Sequence, residues 1–386
     1  MSQGFIVRRS ALTVSVGFVS IYVGFLASVF FAGVPICLLA GFGFVLWALL
    51  QVRVGAALKD CIEVAGWFLV LLAISLLIPN GIATFEVVKA GVGTSLFFLT
   101  LTLGPRALNE VAIVFPAALR VAAILVTLFF YLDFFSILSL KSLGIVGWFE
   151  SDLIVSQFDV RPSGLFSEPS WHALAAGALA YYLSKGGGIA NLVLCLGLVS
   201  STLASGSAIG LAISALVLVR WWVLGSENLA VRAFAVSFLV VACVLAADFA
   251  IGSDFIPTGA LGKLFDPLSS GSGQSRFLAP LYFIGFAFET SPFFGLGLSY
   301  ISSELLGRMG AAVLPINVFI QTGFLGLMVY AYYLSRQCYR ERSGMFDIAA
   351  VVLCSVSLGL EQSPFQALLI VFFITGWPKK RDLSRC

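Results

Sequence analysis

The run Val121-Ala122-Ala123-Ile124-Leu125-Val126-Thr127-Leu128-Phe129-Phe130-Tyr131-Leu132 carries no charge. It is the middle of an apolar stretch, residues 111–138, whose only charged members are Arg120 and Asp133. A helix that crosses a bilayer needs about 20 mostly apolar residues, and this stretch supplies them. A single run of this length decides the fold class, because only lipid can cover it on every face.

The same pattern recurs in both directions along the chain. Candidate spans fall at about 11–31, 33–52, 62–79, 87–104, 111–138, 171–185, 189–204, 207–223, 231–250, 312–335, 346–361 and 364–378. The chain is 60% hydrophobic and 11% charged, with a mean hydropathy of +1.05. A soluble domain is roughly half apolar and a quarter charged. The expected fold class is therefore an all-α polytopic membrane protein with about 12 transmembrane helices, a single integral membrane domain over residues 1–386. Cys37, Cys61, Cys195, Cys243, Cys338, Cys354 and Cys386 show no C-x-x-C spacing and mostly lie in apolar runs. They read as small buried hydrophobes, with neither a metal site nor a disulfide framework. Arg8-Arg9 precedes the first apolar run and reads as the flank of an uncleaved span rather than of an export signal.

Basic residues set the expected orientation, since Lys and Arg concentrate in cytoplasmic loops. With the N-terminus inside, fifteen of the 22 Lys and Arg residues fall on the inner side, six on the outer side, and Arg120 within a span. Two outer loops then stand out, at about 140–170 and 251–311. The second is too long for a simple connector. Its apolar part, Phe277 to Phe288, reads as an amphipathic or re-entrant helix at the outer interface. The first holds a polar cluster, Arg161-Pro162-Ser163-Gly164-Leu165-Phe166-Ser167-Glu168-Pro169-Ser170-Trp171-His172, with the only His of the chain. The sequence contains no phosphate-binding loop, no dinucleotide fingerprint and no H-E-x-x-H. Nucleotide hydrolysis, zinc chemistry and nucleic-acid binding are not expected, and no cofactor or metal is implied.

The candidate catalytic residues are Glu168, Arg161 and Arg276. The two arginines sit among small polar residues in different outer loops, against the orientation bias. A guanidinium binds phosphate oxygens through a planar fork and keeps its charge. Two of them could clamp a lipid-linked pyrophosphate and stabilise it as leaving group; the alternative is a pair of solvated loop charges. Glu168 could take a proton from a sugar hydroxyl, or could serve a helix dipole or a salt bridge to Arg161. Candidate substrate-binding residues are Arg120, His172, Ser205, Gly295, Gly297 and Asn317. Arg120 is costly within a span, hence functional or structurally paired. His172 lies four residues after Glu168, on the same face if a helix starts at Glu168 or Pro169 with Ser167 as cap. Ser205-Gly206-Ser207 and Pro292-Phe293-Phe294-Gly295-Leu296-Gly297 would allow close approach of backbone to ligand, or helix packing.

These elements, in order, resemble the O-antigen polymerase/ligase family of bacterial polysaccharide enzymes. The resemblance rests on Arg161, Gly164, Phe166 and Glu168-Pro169-Ser170; on Ser205-Gly206-Ser207; on Ser275-Arg276 followed by Pro292, Gly295 and Gly297; and on Asn317, Gln321, Gly323 and Gly326. It spans about residues 110–340. It implies a GT-C-like, metal-independent, inverting glycosyltransferase of the bacterial inner membrane, with its active site facing the periplasm. Its donor and acceptor would be undecaprenyl-diphosphate-linked oligosaccharides, and a chain-length regulator is a further possible partner beside membrane lipid. Ile316 stands where the family's ligases carry a His before the Asn, which favours a polymerase over a ligase to lipid A-core. A lipid-linked oligosaccharide flippase is the alternative from another class; it should show inverted repeats and charge at mid-membrane.

Overall fold

The computed structural model describes residues 30–31, 34–51, 54–78, 84–110, 115–135, 137, 164, 166, 169–224, 271–298, 313–356 and 363–377. The expected span at 231–250, nearly all of that at 11–31, and the candidates Arg161 and Glu168 lie outside the described residues. Described helices are α1 (Ile36–Gln51), α2 (Val54–Leu77), α3 (Thr84–Glu110), α4 (Phe115–Phe134), α5 (Pro169–Leu183), α6 (Ile189–Ala204), α7 (Ala208–Leu224), α8 (Gly271–Thr290), α9 (Leu314–Arg340), α10 (Met345–Ser355) and α11 (Ser363–Ile374). Each of the ten other expected spans coincides with one of them.

Burial follows composition. α11 lies at the centre, packed on α3, α5, α1 and α10. Its residues from Phe365 to Ile374 are all buried, as expected of a helix that is apolar on every side. α5 is just as enclosed, between α11, α6, α7 and α4. Lipid gives helices no hydrophobic reason to associate, so contact depends on close van der Waals fit. Ala173, Ala175, Ala176, Ala178 and Ala180 give α5 the narrow profile that such fit needs, and all are buried. α2 and α9 flank α3, and α8 packs on α9.

Among the described residues, four helices are long and apolar enough to cross a membrane: Leu58–Leu77, Thr84–Asn109, Pro116–Phe134 and Leu314–Arg340. The chain is thus a helical protein of polytopic membrane character. Several other expected spans are shorter than the sequence reading gave them. α10 has 11 residues, about 17 Å at 1.5 Å per residue, against a hydrocarbon core of about 30 Å. Two further differences have local causes. Phe30–Phe31 pairs antiparallel with Val34–Pro35 where helix was expected; Pro35 has no N–H to give a helix and suits the position just before α1. α8 begins at Gly271, not at Phe277, so the backbone of Arg276 is helical rather than part of a loop.

One end of the bundle gathers charge. The buried carboxylate of Asp60, early in α2, accepts from Arg106 late in α3 and lies 3.3 Å from Arg336 late in α9. The same Arg336 guanidinium meets Glu63 at 3.1 Å. Beside this group, Lys185 Nζ stands 3.0 Å from Asp347 and donates to the carbonyls of Phe373 and Thr375. Tyr181 Oη donates to Asp347 at 2.7 Å, and Arg220 to Ser184 Oγ at 3.0 Å. These residues occupy the starts of α2 and α10 and the ends of α3, α5, α7, α9 and α11, which places all of them at one end.

Candidate functional site

The opposite end carries the described members of the polar cluster that the sequence singled out at 161–172, Gly164, Phe166 and His172 among them. Phe130 and Asp133 stand one turn apart near the end of α4. Gly164 lies directly on this turn. Its backbone has φ +60°, and a Cβ there would sit 2.9 Å from the Phe130 backbone. The Gly164 N–H donates to Asp133 Oδ2 at 3.0 Å. Two residues on, Phe166 is fully buried. Gly164 is therefore clipped onto α4 by a carboxylate and a missing side chain, and Phe166 is anchored against His172 in α5. Arg161 and Glu168 are the charged residues on either side of this clip.

α5 begins at Pro169, where the sequence expected it. The first turn of the helix carries His172, which is fully buried. Its ring stacks on Phe130 at 4.3 Å and takes Phe166 edge-on at 5.7 Å. Its Nε2 is 3.0 Å from Ser201 Oγ. The imidazole thus joins α4, α5, α6 and the clip. The ring is enclosed, with Phe130 stacked on it and Phe166 set across it. Nearby, Tyr131 Oη donates to Ser200 Oγ at 2.7 Å, and Thr202 Oγ1 bonds Ser214 Oγ at 2.6 Å. Ser205 is buried too, and its hydroxyl turns back to the Thr202 carbonyl at 2.7 Å. It closes α6.

Gly295, Gly297 and Asn317 come together elsewhere, around a break in α9. Gly323 has φ +63° and ψ −159° inside this helix. The break frees backbone groups on both sides, and the segment 292–297 satisfies them. Leu296 N–H donates to Ile320 O at 2.8 Å and Gly297 N–H to Gln321 O at 3.0 Å; Phe324 N–H donates to Pro292 O at 2.9 Å and Leu325 N–H to Phe293 O at 3.2 Å. Neither strand of this contact tolerates a side chain at its crossing point. A Cβ on Gly295 would lie 2.5 Å from the backbone of Gln321 and Thr322, and one on Gly323 would lie 2.3 Å from that of Phe293. Non-helical backbone at membrane depth is stable only when paired inside protein in this way. Asn317 is buried one turn before Gln321. The segment is fixed further by Leu298 N–H, which donates to Ser75 Oγ in α2 at 3.0 Å.

Arg120 does not join either group. Its Nε donates to Asn191 Oδ1 at 2.8 Å. Asn191 is in the first turn of α6, close to Lys185, so Arg120 belongs to the charged end. Along α4 it is separated from Asp133 by about 20 Å at 1.5 Å per residue. Among residues the sequence reading passed over as site members, Asp133 and Ser201 matter most. Asp133 was legible as one of two charges in residues 111–138; Ser201 gave no signal, since a serine in an apolar helix is ordinary. No family model matches the chain and no curated protein matches it, so function rests on these residues and their geometry.

Proposed function

We propose that the protein is a polysaccharide polymerase of the bacterial inner membrane, with about twelve spans, a GT-C-like fold and its active site on the periplasmic face. The observation that carries this reading is the clip at Gly164 and Phe166. It holds Gly164 and Phe166, two members of a conspicuously polar stretch of sequence, at the end away from the charge cluster, where a lipid-linked sugar would present its pyrophosphate. The acceptor hydroxyl of one undecaprenyl-diphosphate-linked repeat unit attacks the anomeric carbon of another glycan. The bond from that carbon to the diphosphate oxygen breaks, and the hydroxyl proton passes to Glu168. Arg161 and Arg276 hold the departing diphosphate and neutralise its charge. His172 and Asp133 act as positioning residues that fix the clip.

The direct test supplies purified protein with the lipid-linked repeat unit alone, with no divalent metal. A ladder of lengthened chains is expected, absent in Arg161→Ala and partly retained in Arg161→Lys, since a point charge cannot reproduce the fork. Transfer only to a lipid A-core acceptor would replace polymerase by ligase. A transporter of lipid-linked oligosaccharide is favoured by one observation, the broken helix α9, a device that transporters use at their binding sites. Translocation of a fluorescent lipid-linked oligosaccharide in proteoliposomes, without chain extension, would establish that reading instead.

A further inference from the structure

We propose that Arg120 is a lipid-binding residue at the charged end, where it holds the phosphodiester of an anionic phospholipid. The argument begins with the side chain's donors. A guanidinium has five N–H groups and no acceptor. Only the Nε–H of Arg120 is engaged among the described residues, on Asn191 Oδ1 at 2.8 Å. Asn191 is itself fixed, since its Nδ2 donates to the Gly187 carbonyl at 3.2 Å, and it is buried. Binding through Nε sets the plane of the guanidinium and leaves the two terminal amino groups as a pre-oriented pair. That pair is the geometry that takes two phosphate oxygens at once. None of the ion pairs among the described residues includes Arg120, so no carboxylate there neutralises it.

Position supplies the occupant. Arg120 is five residues into α4, about 8 Å along the helix from its first residue. A long cationic side chain at that depth reaches the level of the lipid headgroups. The side chain is only partly buried, and the neighbouring turn at Gly187 and Gly188 is exposed, so a headgroup can approach. The surroundings favour a net negative lipid over a zwitterionic one. Lys59, Arg106, Lys185, Arg220, Arg336, Arg340 and Arg342 share this end with Asp60, Glu63, Glu110, Glu341 and Asp347 among the described residues, an excess of basic groups even before Arg120 is added. Basic residues close to an anionic leaflet are attracted to it at about 1 kcal/mol each. This inference is independent of the proposed glycan chemistry, which lies at the other end.

Native mass spectrometry of the full chain in detergent tests it, with phosphatidylglycerol, phosphatidylcholine or inorganic phosphate added as probes. The wild type should retain phosphatidylglycerol about tenfold more tightly than Arg120→Gln, as expected for losing a charge-assisted pair of hydrogen bonds. Phosphatidylcholine should show a smaller difference between the two proteins. Asn191→Asp is the second variant, in case Arg120→Gln fails to insert. Its carboxylate would neutralise Arg120 in place and should also lower phosphatidylglycerol retention. Equal retention by the wild type and either folded variant would overturn the proposal. So would displacement of the lipid by inorganic phosphate at comparable concentration, which would make this a site for free phosphate.

Discussion

At residue 164 one hydrogen atom decides where a polar segment lies. Gly164→Ala adds a methyl group 2.9 Å from the Phe130 backbone and leaves a non-glycine residue at φ +60°, a conformation that costs roughly 1–2 kcal/mol for an L-residue. The clip should lift while the bundle survives. The expected outcome is loss of chain extension with a fall in Tm of only a few degrees, read by the repeat-unit assay and thermal unfolding in detergent. Asp60 is the converse case. Its side chain is 2% exposed between two guanidiniums that are each 23% exposed. Asp60→Ala takes this carboxylate from Arg106 and leaves Arg336 with Glu63 alone. Removing one partner of a buried pair costs about 3–5 kcal/mol; partial solvation of the arginines puts the expected loss near the lower figure, as a depressed Tm. Lys185 gives a pH signature. Burial lowers its pKa from 10.5 to about 8, against the opposing pull of Asp347. Between those values the unfolded chain binds more protons than the folded one, so rising pH stabilises the folded state through that window. Relative to Lys185→Met, the wild type should gain Tm between about pH 8 and pH 10; a constant difference across that range would show that the amine does not titrate there.

At the scale of elements, α9 and the segment 292–297 form one unit. Gly323→Ala places a Cβ 2.3 Å from the Phe293 carbonyl carbon in a backbone region that is essentially glycine's alone. Four inter-segment hydrogen bonds depend on that crossing. The variant should open residues 292–297 to protease in detergent while α5 and α11 stay protected; unchanged cleavage would mean the break is tolerated by other residues. Helix positions were legible in the sequence because hydropathy alone dictates them: α6 begins and ends at the residues the apolar run marks, Ile189 and Ala204. The break was not. A single Gly in an apolar run reads as a mild cost within a helix, and the backbone groups of Pro292, Phe293, Leu296 and Gly297, distant in sequence, make the interruption stable. The site was legible in the same uneven way. Gly164, Phe166 and His172 stood out as a group, but the sequence could not distinguish a surface His from one buried with one Phe ring stacked on it and another set across it. Arg120 stood out as well, yet its partner Asn191 lies on another helix, and nothing local told which end it served.

At the scale of the whole molecule, the two ends of the bundle differ in kind. One holds Asp60, Glu63, Arg106, Lys185, Arg220, Arg336 and Asp347 in linked ion pairs and hydrogen bonds. The other holds neutral polar contacts around His172, Ser200, Ser201 and Thr202, with Asp133 bound to a backbone N–H. The orientation bias was counted from loops, with no knowledge of which residues meet. That residues assigned independently to the inner side converge at one end gives the bias a structural counterpart. An end rich in Lys and Arg resists translocation across the membrane, so the charged end should face the cytoplasm. Single-Cys labelling in intact cells tests this with residues chosen from both ends. A Cys at Arg340 or Ser343 should react with a membrane-impermeant maleimide only after permeabilisation. A Cys at Ser163 or in residues 255–270 should react before it. If the first pair reacts in intact cells, the molecule is inverted, the clip faces the cytoplasm, and a donor that presents its pyrophosphate on the outer face could not reach it.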